Sequence, residues 1–121
     1  MATVELTAEN FESTVTGEGL VLLDFWAAWC GPCRMFGPVF EKASEKYPDA
    51  VFGKVDTEAQ PEVAAAFSIS SIPTLMVIRD AVALYAQPGA LPEQALEQLI
   101  GKAREIDMDE VRKALAAPAT S

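Results

Sequence analysis

Histidine is absent from the 121 residues, and cysteine occurs only twice, at Cys30 and Cys33. Structural zinc normally takes four Cys or His ligands, and one chain here offers two, so no metal site is expected. Basic residues are scarce, nine against eighteen acids, for a formal charge of −9. Such a surface repels phosphate backbones, which argues against nucleic acid as a partner. It would bias association toward basic protein faces. Long apolar runs are also missing. The richest, Gly19 to Ala28, reaches about half of the ~20 residues that span a bilayer, and it contains Asp24, so no membrane is expected. The start, Met1-Ala2-Thr3-Val4-Glu5, has neither the basic nor the apolar region of a secretory signal, and the expected location is the cytoplasm. A glycine-rich dinucleotide motif is lacking too, so no cofactor is expected.

What remains is a chain of one-domain length in which half the residues are hydrophobic. Thr3 to Leu6 reads as a short strand. Thr7 then suits an N-cap for a helix over Ala8 to Val15, with Phe11 and Val15 inward. Leu20 to Trp26 is a nearly continuous apolar run of strand length, as in a central strand buried on both faces. After the cysteines, Met35, Phe36, Val39, Phe40, Ala43 and Tyr47 share one helical face, with Pro38 inside the helix and Pro48-Asp49 ending it. A strand over Ala50 to Val55 and a short helix over Pro61 to Phe67 follow.

Thr74 to Ile78 and Val82 to Ala86 predict a hairpin around Arg79-Asp80-Ala81, although Ala81 is a weaker turn residue than glycine. Pro88-Gly89 breaks the chain again. Leu96, Leu99, Ile100 and Ala103 form a helical stripe. Asp107 followed by Glu110 resembles a capping box for a last helix carrying Val111 and Leu115. The order β-α-β-α-β-α-β-β-α predicts an α/β sandwich, with a mixed sheet and helices on both faces. Residues 1–115 are expected to form the single domain, extended by a helical segment from about residue 105, and 116–121 have tail composition.

The chemistry is carried by Cys30-Gly31-Pro32-Cys33. A bridge across so short a loop constrains the unfolded chain by only ~2 kcal/mol, which makes a purely structural disulfide the poorer explanation. Two cysteines three apart at the first turn of a helix can bridge without large backbone movement. There, free N–H groups and the helix dipole stabilise a thiolate. Cys30, between strand and helix, is expected to be the exposed nucleophile. Cys33, one turn in beside Met35 and Phe36, is expected to be buried and to resolve a mixed disulfide. Proline between them stiffens the turn. Asp24, within an apolar strand, is costly to bury as an anion, so its pKa rises if it lies in the core. The alternative is an acid that reaches solvent at a strand end.

Asp24-Phe25-Trp26-Ala27-Ala28-Trp29-Cys30-Gly31-Pro32-Cys33-Arg34-Met35, running through Pro38, resembles the signature of the thioredoxin family. Lys54-Val55-Asp56, Ile72-Pro73-Thr74 and Gly89-Ala90-Leu91 match further along, and the resemblance spans about residues 4 to 104. It implies the thioredoxin fold, a three-layer α/β/α sandwich around a five-stranded mixed sheet. It also implies reduction of protein disulfides, with recycling by a flavin-dependent thioredoxin reductase that uses NADPH. By the same resemblance Pro73 is a cis-proline against the cysteines, and Asp24 moves the Cys33 proton. Lys54 would tune Asp24, while an exposed strand lysine is the bland alternative. Trp29, Ile72, Pro73, Gly89 and Ala90 would form an apolar docking rim, with Trp26 packing beneath.

Three positions depart from the common pattern: Ala81 in the hairpin, Pro88 before Gly89, and the extension from Asp107. Oxidant and isomerase relatives generally carry a histidine between the cysteines, and Gly31-Pro32 points instead to a reductant. A scaffold without turnover, or a metal shared through thiolates across a dimer, are the readings from other classes. A monomer is expected.

Overall fold

The computed structural model describes residues 2–116. Ten elements follow one another: β1 (Thr3–Glu5), α1 (Phe11–Val15), β2 (Leu20–Trp26), α2 (Gly31–Lys46), β3 (Val51–Asp56), α3 (Pro61–Ala66), β4 (Thr74–Arg79), β5 (Val82–Pro88), α4 (Glu93–Glu105) and α5 (Met108–Ala116). The five strands form one sheet in the order β1-β3-β2-β4-β5. β3 runs parallel to both β1 and β2, whereas β4 is antiparallel to β2 and β5, so the sheet is mixed as expected.

Alternation along the strands sorts the core into two layers. Leu20, Leu22, Phe52, Leu75 and Val77 pack with Phe36 and Phe40 of α2 and Leu96 and Ile100 of α4. On the other face Val21, Leu23, Phe25, Val55, Met76 and Ile78 pack with Val63 of α3 and with Phe11 and Val15 of α1. β2 is buried along nearly its whole length, which explains why it carries no apolar–polar alternation. Asp24 shares the parity of Leu20 and Leu22, and Lys54 that of Phe52. Both therefore belong to the face that α2 covers.

The sequence-based elements need four adjustments. Thr7 does not cap α1. The Asn10 carboxamide accepts from the Thr7 N–H (2.7 Å) and donates to the Glu5 carbonyl (3.1 Å), closing a turn that delays the helix to Phe11. Met35 is not on the inner face of α2; it is 75% exposed, because the apolar stripe is anchored by Phe36 and Phe40. β5 continues through Pro88, opposite Thr74, which an edge strand tolerates because one side needs no N–H donor. The hairpin closes on two residues, Asp80 and Ala81, both at positive φ (50° and 68°), as a primed turn requires. Ala81 thus adopts the conformation that glycine would favour.

The extension forms α5. The Asp107 carboxylate accepts from the N–H groups of Asp109 (2.9 Å) and Glu110 (3.3 Å), giving the anticipated cap, and Met108 is buried. Leu115 is exposed. Arg79 at the end of β4 ties this end of the chain down: its Nη1 donates to the carbonyls of Ala103, Arg104 and Ile106 at 2.7–3.1 Å. Of the expected tail, only Ala116 lies within the described residues, as the last residue of α5. Among the described residues no helix is long and apolar enough to cross a membrane.

Candidate active site

β2 ends at Trp26, and a short loop, Ala27-Ala28-Trp29, delivers the chain to α2. Cys30 is the N-cap of that helix. Its backbone is extended (φ −86°, ψ 114°), and its sulfur accepts the N–H of Cys33 at 3.2 Å. The sulfur thus does what a serine or aspartate oxygen does at other helix starts, occupying a donor that the first turn leaves free. The positive end of a sixteen-residue helix lies at the same point, so negative charge on this sulfur is favoured twice. Gly31 and Pro32 occupy the first two helical positions, where an N–H has no intrahelical partner, and both are exposed.

Cys30 and Cys33 are joined as a disulfide with Cα atoms 5.2 Å apart. Each is only 4% exposed. Burial was expected of Cys33 and not of Cys30. The correction has a local cause: in the bonded state Cys30 Sγ is turned inward, toward Cys33 and to within 3.7 Å of the Ile72 carbonyl oxygen. Ala27 packs with the two cysteines, and Trp26 and Ile72 pack against them.

The Ile72–Pro73 bond is cis, as the resemblance implied, and Pro73 is buried. The Pro73 carbonyl accepts the N–H of Gly89 at 2.8 Å, which brings the β5–α4 connection beside the cysteines. Gly89 stands at φ 111°, a conformation that L side chains rarely adopt. Ala90, next to it, is exposed. Trp29 is 67% exposed, and its indole N–H donates to Glu58 at 2.5 Å. With Ile72 it lines a shallow groove of about 210 Å³ whose floor includes Ala64 and Ile69.

On the sheet face that α2 covers, Asp24 is fully buried, and neither carboxylate oxygen has a hydrogen-bond partner among the described residues. It does not reach solvent at a strand end. Burial pushes its pKa up from 3.8 to about 7, against the opposing pull of Lys54 and with a smaller upward push from Glu41. Lys54 stands directly across from it in the β2–β3 register, with its ammonium 5.1 Å from the Trp26 ring centroid. The bland reading of Lys54 as an exposed strand lysine therefore fails; it is half-buried and adjacent to Asp24.

A cleft of about 590 Å³ opens on this side, lined by Trp26, Cys33, Gly37, Glu41 and Lys54 among others. Glu41 and Glu58 were missed in the sequence. Glu41 could have been found, because Cys33, Gly37 and Glu41 recur every four residues and so lie along one face of α2. Glu58 had no such signal: it contacts Trp29 across a loop.

Comparison with known proteins agrees with this geometry. The family profile described as Thioredoxin matches residues 2–102. The chain is 70% identical over 115 residues to "Putative thioredoxin 2" of Streptomyces coelicolor, covering 95% of this chain and 86% of that protein. It is 41% identical over 103 residues to thioredoxin of Bacillus subtilis (84% and 98% covered) and 40% identical over 100 residues to thioredoxin-1 of Saccharomyces cerevisiae (83% and 96%). A redox-capable pair of cysteines at a helix start, on a mixed sheet whose family match covers most of its length, places the chain in the thioredoxin family as a dithiol–disulfide oxidoreductase.

Proposed function

We propose that the protein is a reductant of protein disulfides in which Cys30 attacks, Cys33 resolves and Asp24 handles the proton. The observation that carries this reading is Cys30 at the N-cap of α2, its sulfur held by the Cys33 N–H and bonded to the Cys33 sulfur. In the dithiol form the Cys30 thiolate attacks one sulfur of a client disulfide. A Cys30–client bond forms, and the other client sulfur leaves as thiolate. Cys33 then gives its proton to the Asp24 carboxylate and attacks Cys30 Sγ. That breaks the Cys30–client bond, releases the second client thiolate and restores the Cys30–Cys33 disulfide. Two electrons pass to the client.

Asp24 suits this duty because a carboxyl titrating near 7 accepts and returns a proton at neutral pH. Lys54 keeps it from drifting still higher. Gly31 and Pro32 set the turn between the two sulfurs, and Trp29, Ile72, Pro73, Gly89 and Ala90 form the rim against which a client segment docks. Recycling falls to a flavin-dependent thioredoxin reductase using NADPH, whose electrons enter at the same disulfide. A reducing compartment, the cytoplasm, is where such a dithiol can stay charged with electrons.

The test is NADPH-coupled reduction of a protein disulfide with thioredoxin reductase, comparing the native protein with Cys30→Ser and Cys33→Ser. Turnover is expected to vanish in both, and Cys33→Ser is expected to accumulate a client mixed disulfide on Cys30. Turnover that persists in Cys30→Ser would overturn the reading, and absence of turnover in the native protein would favour a scaffold.

A further inference from the structure

The fully buried Asp24 is absent from the lining of the cleft, yet any proton it takes from Cys33 must eventually reach solvent. The charged groups that act on it are Lys54 and Glu41. From β4 the residue in register is apolar Leu75; from β3 it is Lys54. From α2, Cys33 and Glu41 line the cleft, with Arg34, Lys42 and Glu45 also in its lining and more exposed.

Glu41 is held in a way that an ordinary surface acid is not. Its Oε1 accepts from Thr3 Oγ1 of β1 at 2.6 Å and lies 4.0 Å from Lys54 Nζ. Its Oε2 is buried and has no hydrogen-bond partner among the described residues. Gly37 lies one turn earlier on the same stripe, and Lys54 Nζ stands 3.9 Å from where its Cβ would be.

Two acids thus compete for a single ammonium, one buried in the sheet and one standing in the cleft. We propose that Glu41 is a positioning residue for the reaction: clamped by Thr3, it draws Lys54 toward the cleft and thereby sets how readily Asp24 takes and releases the Cys33 proton. This rests on the reading of Asp24 as the proton acceptor. The physical content is a shared counter-charge. When Glu41 is anionic, Lys54 divides its field between two carboxylates, so the Asp24 anion receives less stabilisation than a one-to-one pair would give. Glu41 adds like-charge repulsion of its own.

The experiment follows the Asp24 carboxyl carbon by NMR through a pH titration of the oxidised protein, alongside the pH profile of mixed-disulfide resolution. Four variants are compared with the native protein: Glu41→Gln, Glu41→Asp, Lys54→Met and Asp24→Asn. Glu41→Gln is expected to move both midpoints toward acid by about half a pH unit or more. Lys54→Met should move them the opposite way, and Glu41→Asp should stay near the native value. Opposite signs for Glu41→Gln and Lys54→Met are what mere loosening of the cleft would not produce.

Midpoints unmoved by Glu41→Gln, in a protein whose inflection disappears in Asp24→Asn, would overturn the role of Glu41 while leaving that of Asp24 intact. An Asp24→Asn protein with the native pH profile would overturn both. Should Glu41→Gln fold poorly, Thr3→Val removes the clamp and leaves the charge. A smaller shift of the same sign then supports the proposal, and no shift counts against it.

Discussion

Replacing Asp24 by Asn changes one oxygen to nitrogen in a fully buried side chain, so shape is nearly preserved while ionisation is removed. The native carboxyl titrates at 3.8 in an unfolded chain and at about 7 in the folded one. Between those values the folded state binds the additional proton. Native stability therefore falls as pH rises from about 4 through about 7, and is level above that. The separation of about three pH units corresponds to about 4 kcal/mol once Asp24 is ionised in both states. Asn pays the same burial of an unpartnered polar group as the protonated acid does, and no more. Asp24→Asn is thus expected to be more stable than the native protein by about 2 kcal/mol at pH 5 and about 4 kcal/mol at pH 8.5. Urea unfolding of the oxidised proteins across this range, read by tryptophan fluorescence, measures the difference directly. The decisive feature is its growth with pH. A constant difference, or one that shrinks as pH rises, would refute the buried-acid reasoning.

Two further outcomes concern the surface and the chain end. Ala90→Asp places charge on the exposed residue beside Gly89, in the proposed docking rim; it is expected to slow reduction of a protein disulfide about tenfold, or about 1.4 kcal/mol, and of a small-molecule disulfide less than twofold. Equal losses in steady-state assays of the two would remove the rim from the proposal. Arg79→Leu takes away the charged donor shared by the carbonyls of Ala103, Arg104 and Ile106, so a loss of about 2–3 kcal/mol is expected, with faster amide exchange in α5 and unchanged disulfide reduction. Undiminished protection of α5 would show that its other contacts, the packing of Met108 and the Arg112–Asp80 ion pair, hold it without Arg79.

The parts of the fold that were legible in sequence are those where one local signal dominates. Leu20 to Trp26 has the length and apolar continuity of a buried strand, and Cys30 to Cys33 follows it as a helix start. What was misread was decided by contacts between distant or competing groups. Thr7 suits an N-cap by type, but the Asn10 carboxamide ties the Thr7 N–H to the Glu5 carbonyl and closes a turn ahead of the helix, whose start carries no side-chain cap. Met35 satisfies helical spacing, but the buried stripe of α2 runs through Phe36, Phe40 and Ala43 and leaves Met35 outside it. Gly53 carried no signal within the predicted strand, yet a Cβ there would stand 2.7 Å from Leu6 Cδ1 and 3.2 Å from Leu23 Cδ2; only the packed strands reveal why it is glycine. The exposure of Cys30 was misjudged because sequence position says where a sulfur sits and not which way a closed disulfide turns it. Glu41 and Glu58 were missed because their meaning lies in Lys54 and Trp29, each on another element.

Asp24 is where local and global demands disagree most sharply, and that disagreement is informative. Every other residue of β2 from Leu20 to Phe25 is apolar and buried, and a hydrophobic residue at this position would remove an unpartnered carboxylate at no cost to strand pairing. A partner close enough to satisfy the acid was equally available in principle. Lys54 stands across from it, yet its ammonium is shared with Glu41 and rests on the Trp26 ring. A fully paired Asp24 would titrate lower and hold its negative charge too well to return a proton at neutral pH; a fully isolated one would never release it. The incomplete pairing is the arrangement that leaves a buried carboxyl titrating near 7, as the proposed proton transfer requires, and the stability forgone above that pH is the measure of how far this position departs from what folding alone would select.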